Sequence, residues 1–308
     1  MPDLDLNAAR DARRLLMAHD LMTLAPRIRI LLGKARDVIS VPARLASEAA
    51  SAGPGWGVHQ VRLSEGETQA LIGLDHPGTV NELLMAALHL AIAVWNAEHA
   101  KRCGRIGVLM PVNLRPPEWH EELMGNFTLM ARLVSTPEQR SLEGVLPAVT
   151  AQTRLMKAQY SLAALIEFLG RTAFLPVWAK KASAAVFDIA GNRLVDTAEL
   201  SNLGFLKQPQ SFDGKAGETR ELWFSPPARM PLGLSVGAVT AAGCLHLAFR
   251  YRLALFGPQT AADFASLYLS VMRLLVESRE RPGAHNPHVV SALEAGCNLL
   301  VSKPPLVD

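Results

Sequence analysis

Two short polar stretches stand where chemistry could be done. Asn113-Leu114-Arg115 closes an apolar run over 106–112, and Ser201-Asn202 closes the stretch LVDTAELSNLG. Amide, hydroxyl and guanidinium groups at the ends of buried strands are placed to hold a ligand or to stabilise charge. The same residue types also make turns, because Asn and Ser side chains hydrogen-bond their own backbone. Both readings stay open on the residues alone.

Other routes to chemistry are closed by what the chain lacks. There is no Gly-rich phosphate loop and no H-E-x-x-H. His285 and His288 are spaced H-x-x-H in a polar tail with no third ligand nearby, so no metal site is expected. His246 lies in CLHLAFR, where alternation places Cys244, His246, Ala248 and Arg250 on one strand face. Solvent exposure is the expectation for that histidine. His89 falls inside an apolar helix and is expected to be half-buried and hydrogen-bonded. Cys103, Cys244 and Cys297 show no C-x-x-C spacing and read as reduced thiols.

The 308 residues are 49% hydrophobic and 19% charged, enough apolar content for a sizeable core. A formal charge of +3 and the absence of a nucleic-acid motif argue against DNA or RNA as partner. No signal-peptide pattern opens the chain, and no apolar run of spanning length is free of charge or proline, so the expectation is a soluble cytoplasmic protein.

The elements that must position these residues are legible. Residues 3–50 carry a Leu/Ile stripe with interleaved arginines, broken at Pro26 and Pro42. They read as a helical arm packed on its own protein, with membrane contact as the weaker alternative. A turn-rich linker at 51–57 leads to a strand at 58–63, and Ser64 with Glu67 caps a short helix reaching Leu74. Thr79 with Glu82 caps a long helix whose apolar residues recur at steps of three and four. Strands follow at 106–112 and 126–135. Helix is expected from Pro137 to about 159 with a kink at Pro147, and again over 161–187, where Phe168, Phe174, Val177 and Trp178 read as core. Period-two patterning then marks LVDTAELSNLG, ETRELWFSPP and a hairpin across 240–243, before a last helix from near Pro258. The fold class is α/β (α+β), with a mixed sheet flanked by helices.

TVNELLMAALHLAIAVWN, then VLMPVNLRP, MGNFTLMARLV and TAELSNLG, occur in an order that resembles the C-terminal half of the condensation-domain acyltransferases. That superfamily includes chloramphenicol acetyltransferase-like enzymes and wax-ester synthase/diacylglycerol acyltransferases. The resemblance covers roughly 57–275 and divides the chain into an arm and linker (1–56), a half-domain (57–280) and a polar tail (281–308). It implies acyl transfer from a coenzyme A or carrier-protein thioester to a hydroxyl or amine, with no bound cofactor. Asn113, Arg115, Asn126, Ser201 and Asn202 would line one wall of the substrate tunnel.

The family's H-H-x-x-x-D-G motif, which supplies the general base, does not occur; His19 lies in His-Asp-Leu-Met-Thr, which does not match. Losing a general base costs about 100- to 10,000-fold. The expectation is therefore a half inactive alone, which would work with a separately encoded N-terminal half or by self-association. The alternative is a binding or assembly protein that holds a partner or an acyl ligand.

Overall fold

The computed structural model describes residues 41–47, 53–73, 78–99, 101, 104–113, 115, 128–157, 176–179, 181, 196–206, 217–227 and 232–280. The expected arm up to residue 40, Asn126, Phe168, Phe174 and the tail lie outside them. The chain forms two compact units. One comprises 1–41, 110–131 and 152–195, and the other 42–109, 132–151 and 196–308.

The described elements run β1 (Trp56–Arg62), α1 (Glu65–Gly73), α2 (Val80–Glu98), β2 (Ile106–Asn113), β3 (Thr128–Ser135), α3 (Val145–Lys157), β4 (Ala198–Phe205), β5 (Leu234–Ala241), β6 (Cys244–Arg252) and α4 (Pro258–Glu280). They build a six-stranded sheet in the order β1-β6-β5-β4-β2-β3. β2 and β4 pair in parallel through Val108↔Ala198 and Leu109↔Glu199. β4 and β5 are also parallel, while β6 is antiparallel to both β5 and β1. The sheet is mixed, as the pattern predicts.

Local signals fix the ends of elements. The Glu82 carboxylate accepts a hydrogen bond from the Thr79 N–H at 2.7 Å, and Glu67 accepts from the Ser64 N–H at 3.0 Å. The hairpin turns at Ala242 and Gly243, both at positive φ (47° and 76°), the pairing a tight two-residue hairpin loop requires.

Residues 83–96 of α2 are buried on every side, not only along one stripe. This helix is long and apolar enough to cross a membrane, yet 83% of that stretch is buried inside the protein, as befits a core helix. Tyr268 of α4 donates to the Leu84 carbonyl at 3.1 Å, and burial pushes its phenol pKa up. Trp95, Phe256 and Phe264 meet edge to face at 5.4–5.6 Å between Trp95 and the two phenylalanines.

The structure departs from the sequence pattern at six places, the first being His89, which is fully buried in α2 rather than half-buried. Residues 41–47 are irregular, not helical. Asn96 holds them, accepting from the Ala46 N–H and donating to the Arg44 carbonyl, while Thr197 donates to the Ala43 carbonyl. Pro147 is no kink: a 3-10 turn at Pro137–Gln139 ends first, and Pro147 falls in the opening turn of α3, where its missing N–H costs nothing. Residues 219–227 form no strand; an isolated bridge at Glu218 precedes an irregular segment. Its backbone lies on the sheet, where bare Gly237 leaves room for the Phe224 carbonyl. Val177 and Trp178 are exposed rather than core. His246 is fully buried rather than solvent-exposed, because that same irregular segment covers it.

Candidate functional site

The strand registers assign the side chains of the second unit to two faces. Leu247, Phe249 and Tyr251 of β6 face the helices, with Phe249 against Phe264 and Tyr268 of α4. Alternation places Cys244, His246, Ala248 and Arg250 on the opposite face. Register then extends three rows across that face. Glu199, Ser235 and Arg250 form one row, Ser201, Gly237 and Ala248 the next, and Val239, His246 and Arg62 the third.

The first row is polar in a buried setting. Glu199 and Ser235 are both buried, and the Ser235 hydroxyl lies 3.5 Å from the Glu199 carboxylate. The Arg250 guanidinium sits 5.0 Å over the Trp56 ring, a cation-π contact at the β1 end of the row. The second row is built of small residues, with the Ser201 hydroxyl as its polar group. The third is closed by Trp223, whose ring meets His246 edge to face at 5.1 Å.

Two electrostatic clusters flank these rows. Arg132 reaches the buried Asp196 carboxylate with Nε at 2.5 Å and a second nitrogen at 3.2 Å, a forked geometry. Gly107 leaves the space that Asp196 needs, since a Cβ there would lie 2.7 Å from Asp196 Oδ1. Arg44 is lowered in pKa by burial, with Asp196 opposing. On the third row, Arg62 donates to Cys244 Sγ at 3.3 Å and pairs with Glu221 at 3.3 Å. No group of three or more His, Cys, Asp or Glu side chains among the described residues could hold a metal ion.

The predicted wall residues fall into separate places. Asn113 ends β2, and its Oδ1 accepts from the Arg115 N–H at 3.0 Å, an Asx turn. Both residues lie in the first unit. Ser201 and Asn202 are consecutive on β4 in the second. Ser201 is buried on the small-residue row, while the Asn202 Oδ1 accepts from the Gly204 N–H at 2.8 Å. That bond holds Gly204 at φ 76°, inside a bulge that shifts the β4–β5 register between Asn202 and Phe205. The bulge leaves Leu203 and Phe205 exposed. Turn chemistry therefore engages the oxygen of both asparagines; each Nδ2, the Ser201 hydroxyl and the Arg115 guanidinium are the donor groups of the set.

Sequence reading missed Glu199, Ser235 and Trp223. Glu199 carried a faint signal, a lone acid between apolar residues of a strand. Trp223 carried none, since its partner lies 23 residues away on a different element.

No family model matches this chain. A protein recorded as uncharacterized in two strains of Mycobacterium tuberculosis is 35% identical over 193 residues, which are 62% of this chain and 45% of the relative. The chain thus spans less than half the length of these curated relatives. Among solved structures, the epimerization domain from the third module of tyrocidine synthetase B is similar with TM-score 0.55 and 16% identity, over 85% of this chain and 56% of that one. A trichothecene 15-O-acetyltransferase from Fusarium sporotrichioides gives 0.58 and 13%, over 82% and 52%. The cyclization-docking bidomain of a nonribosomal peptide synthetase from Sorangium cellulosum gives 0.52 and 19%, over 82% and 49%. The chain shares its fold with these structures, the fold that the sequence resemblance implies.

Proposed function

We propose that this chain is the C-terminal half of a condensation-like acyltransferase, acting on an acyl thioester of coenzyme A or of a carrier protein. The observation that carries the reading is the fold, shared across more than four-fifths of this chain with about half of each neighbour, among them an acetyltransferase. Acyl transfer needs a base at the acceptor and donors for the developing oxyanion. In this reading Ser201 and Asn202 of the second unit serve the donor wall, and a complementary half carrying H-H-x-x-x-D-G brings the base.

The test is reconstitution. Mixed with such a half, the chain is expected to cleave an acyl thioester that neither part cleaves alone. Failure with both coenzyme A and carrier-protein donors, while the thioester still binds, would replace catalysis by the binding or assembly role. Neither cleavage nor binding would overturn both.

A further inference from the structure

We propose that residues 221–226 form a proton-controlled strap over the second face of the sheet, with His246 as the group that governs its closure. This goes beyond the acyltransferase reading and does not depend on it.

The geometry of the strap is defined by its anchors. Glu221 pairs with Arg62 on β1 at 3.3 Å, and Trp223 Nε1 donates to the Val61 carbonyl of the same strand at 3.4 Å. The Trp223 ring caps His246 on β6. The Phe224 carbonyl and Pro226 Cδ lie against Gly237 on β5, where any Cβ would meet both. The segment therefore crosses three strands in six residues, and it has no strand ladder of its own. Side-chain anchors hold it, so its release breaks few bonds.

His246 lies beneath it as a buried ring, 0% exposed, and neither ring nitrogen makes a well-aligned hydrogen bond. A neutral imidazole tolerates this setting far better than an imidazolium, which must regain water or a counter-charge. The charged and titratable groups around it are Arg62 of β1, Glu221 of the strap and Cys244 of its own strand, with Glu65 of α1 acting on Arg62. Burial, the largest influence, disfavours the charged ring, and the Arg62 cation adds to it; the backbone of Cys244, and more weakly Glu221 and the backbone of Val239, oppose them, and the balance lowers the pKa. Lifting the strap hydrates the ring and lets it take the proton. Acidification thus drives opening, and opening uncovers the row in which Gly237 lies between Ser201 and Ala248.

Amide hydrogen exchange on the full chain, corrected for the intrinsic effect of pH, reads this directly. Peptides covering 217–227 are expected to lose protection as pH falls well below 6.5, the ordinary histidine value, with opening rising up to about tenfold per pH unit for one coupled proton. Peptides from α2, whose exchange reports global unfolding, are expected to remain more protected than 217–227 at every pH. His246→Gln abolishes the response. Should that variant not fold, Arg62→Gln provides a second reading: without the cation the closed strap tolerates the charged ring better, so the acid response levels off at higher pH with a smaller total rise, whatever its effect on baseline opening. An unchanged acid response in His246→Gln, or an unmoved levelling-off in Arg62→Gln, would overturn the proposal.

Discussion

The carbonyl oxygen of Phe224 occupies the space that a side chain at Gly237 would need. A Cβ built on Gly237 overlaps that oxygen and comes within 2.9 Å of Pro226 Cδ. The obstacle is backbone, which cannot rotate aside. Gly237→Ala is expected to displace the 221–226 segment and cost about 1–3 kcal/mol, the usual range for overpacking. Urea denaturation measures this. Gly66→Ala, with nothing within 4 Å of the added carbon, serves as the control and should not destabilise.

Ala242 holds φ 47° in the β5–β6 turn, a region costly for any residue with a Cβ. Ala242→Asn keeps the turn and relieves part of the strain. The expected gain is about 1 kcal/mol in the same assay, and a loss would mean that the methyl group makes contacts the turn geometry does not reveal.

The His89 imidazole is fully buried, with Nδ1 2.8 Å from Ser135 Oγ. Burial first, and the Arg140 cation second, depress its pKa from 6.5 to about 3. The unfolded chain gains this proton below pH 6.5 while the folded chain does not. Stability is therefore full above 6.5 and falls as pH drops from there toward 3, by up to about 1.4 kcal/mol per pH unit. Denaturation at a series of pH values should show a shallower acid slope in His89→Leu. Its absolute stability at neutral pH is expected to be lower, since the Ser135 hydroxyl loses this partner.

Asn202 separates turn-making from ligand-holding. Asn202→Asp keeps an acceptor for the Gly204 N–H, whereas Asn202→Ala removes it and should cost about 1 kcal/mol. If the side-chain Nδ2 also serves an acyl ligand, both variants weaken thioester binding. Binding retained by Asp and stability lost only by Ala would confine this residue to the bulge.

The neighbours Arg132 and Asp196 form a buried, forked ion pair. Asp196→Asn leaves the guanidinium without its counter-charge and is expected to cost about 3–5 kcal/mol. The measurement is the unfolding midpoint, and a change below 1 kcal/mol would mean that solvent reaches the pair.

What the sequence determined by itself was local. The capping boxes at Ser64/Glu67 and Thr79/Glu82, the start of the last helix at Pro258 and the turn at 242–243 depend on residues within four positions of one another, so spacing reports them. The order of its motifs was enough to anticipate the fold. Tertiary structure decided the rest. The parallel pairing of Val108 with Ala198 joins segments 90 residues apart, and no local pattern encodes it. His246 and Trp178 show the same limit from opposite sides. Alternation gave His246 a face but not the Trp223 ring that covers it, and apolar character gave Trp178 a preference for burial that its neighbours among the described residues do not satisfy. Burial is a property of what arrives from elsewhere in the chain. The strand-end residues Asn113, Arg115, Ser201 and Asn202 were legible because strands must stop somewhere. Two of them became turn acceptors and one a buried hydroxyl only when the neighbouring backbone was in place.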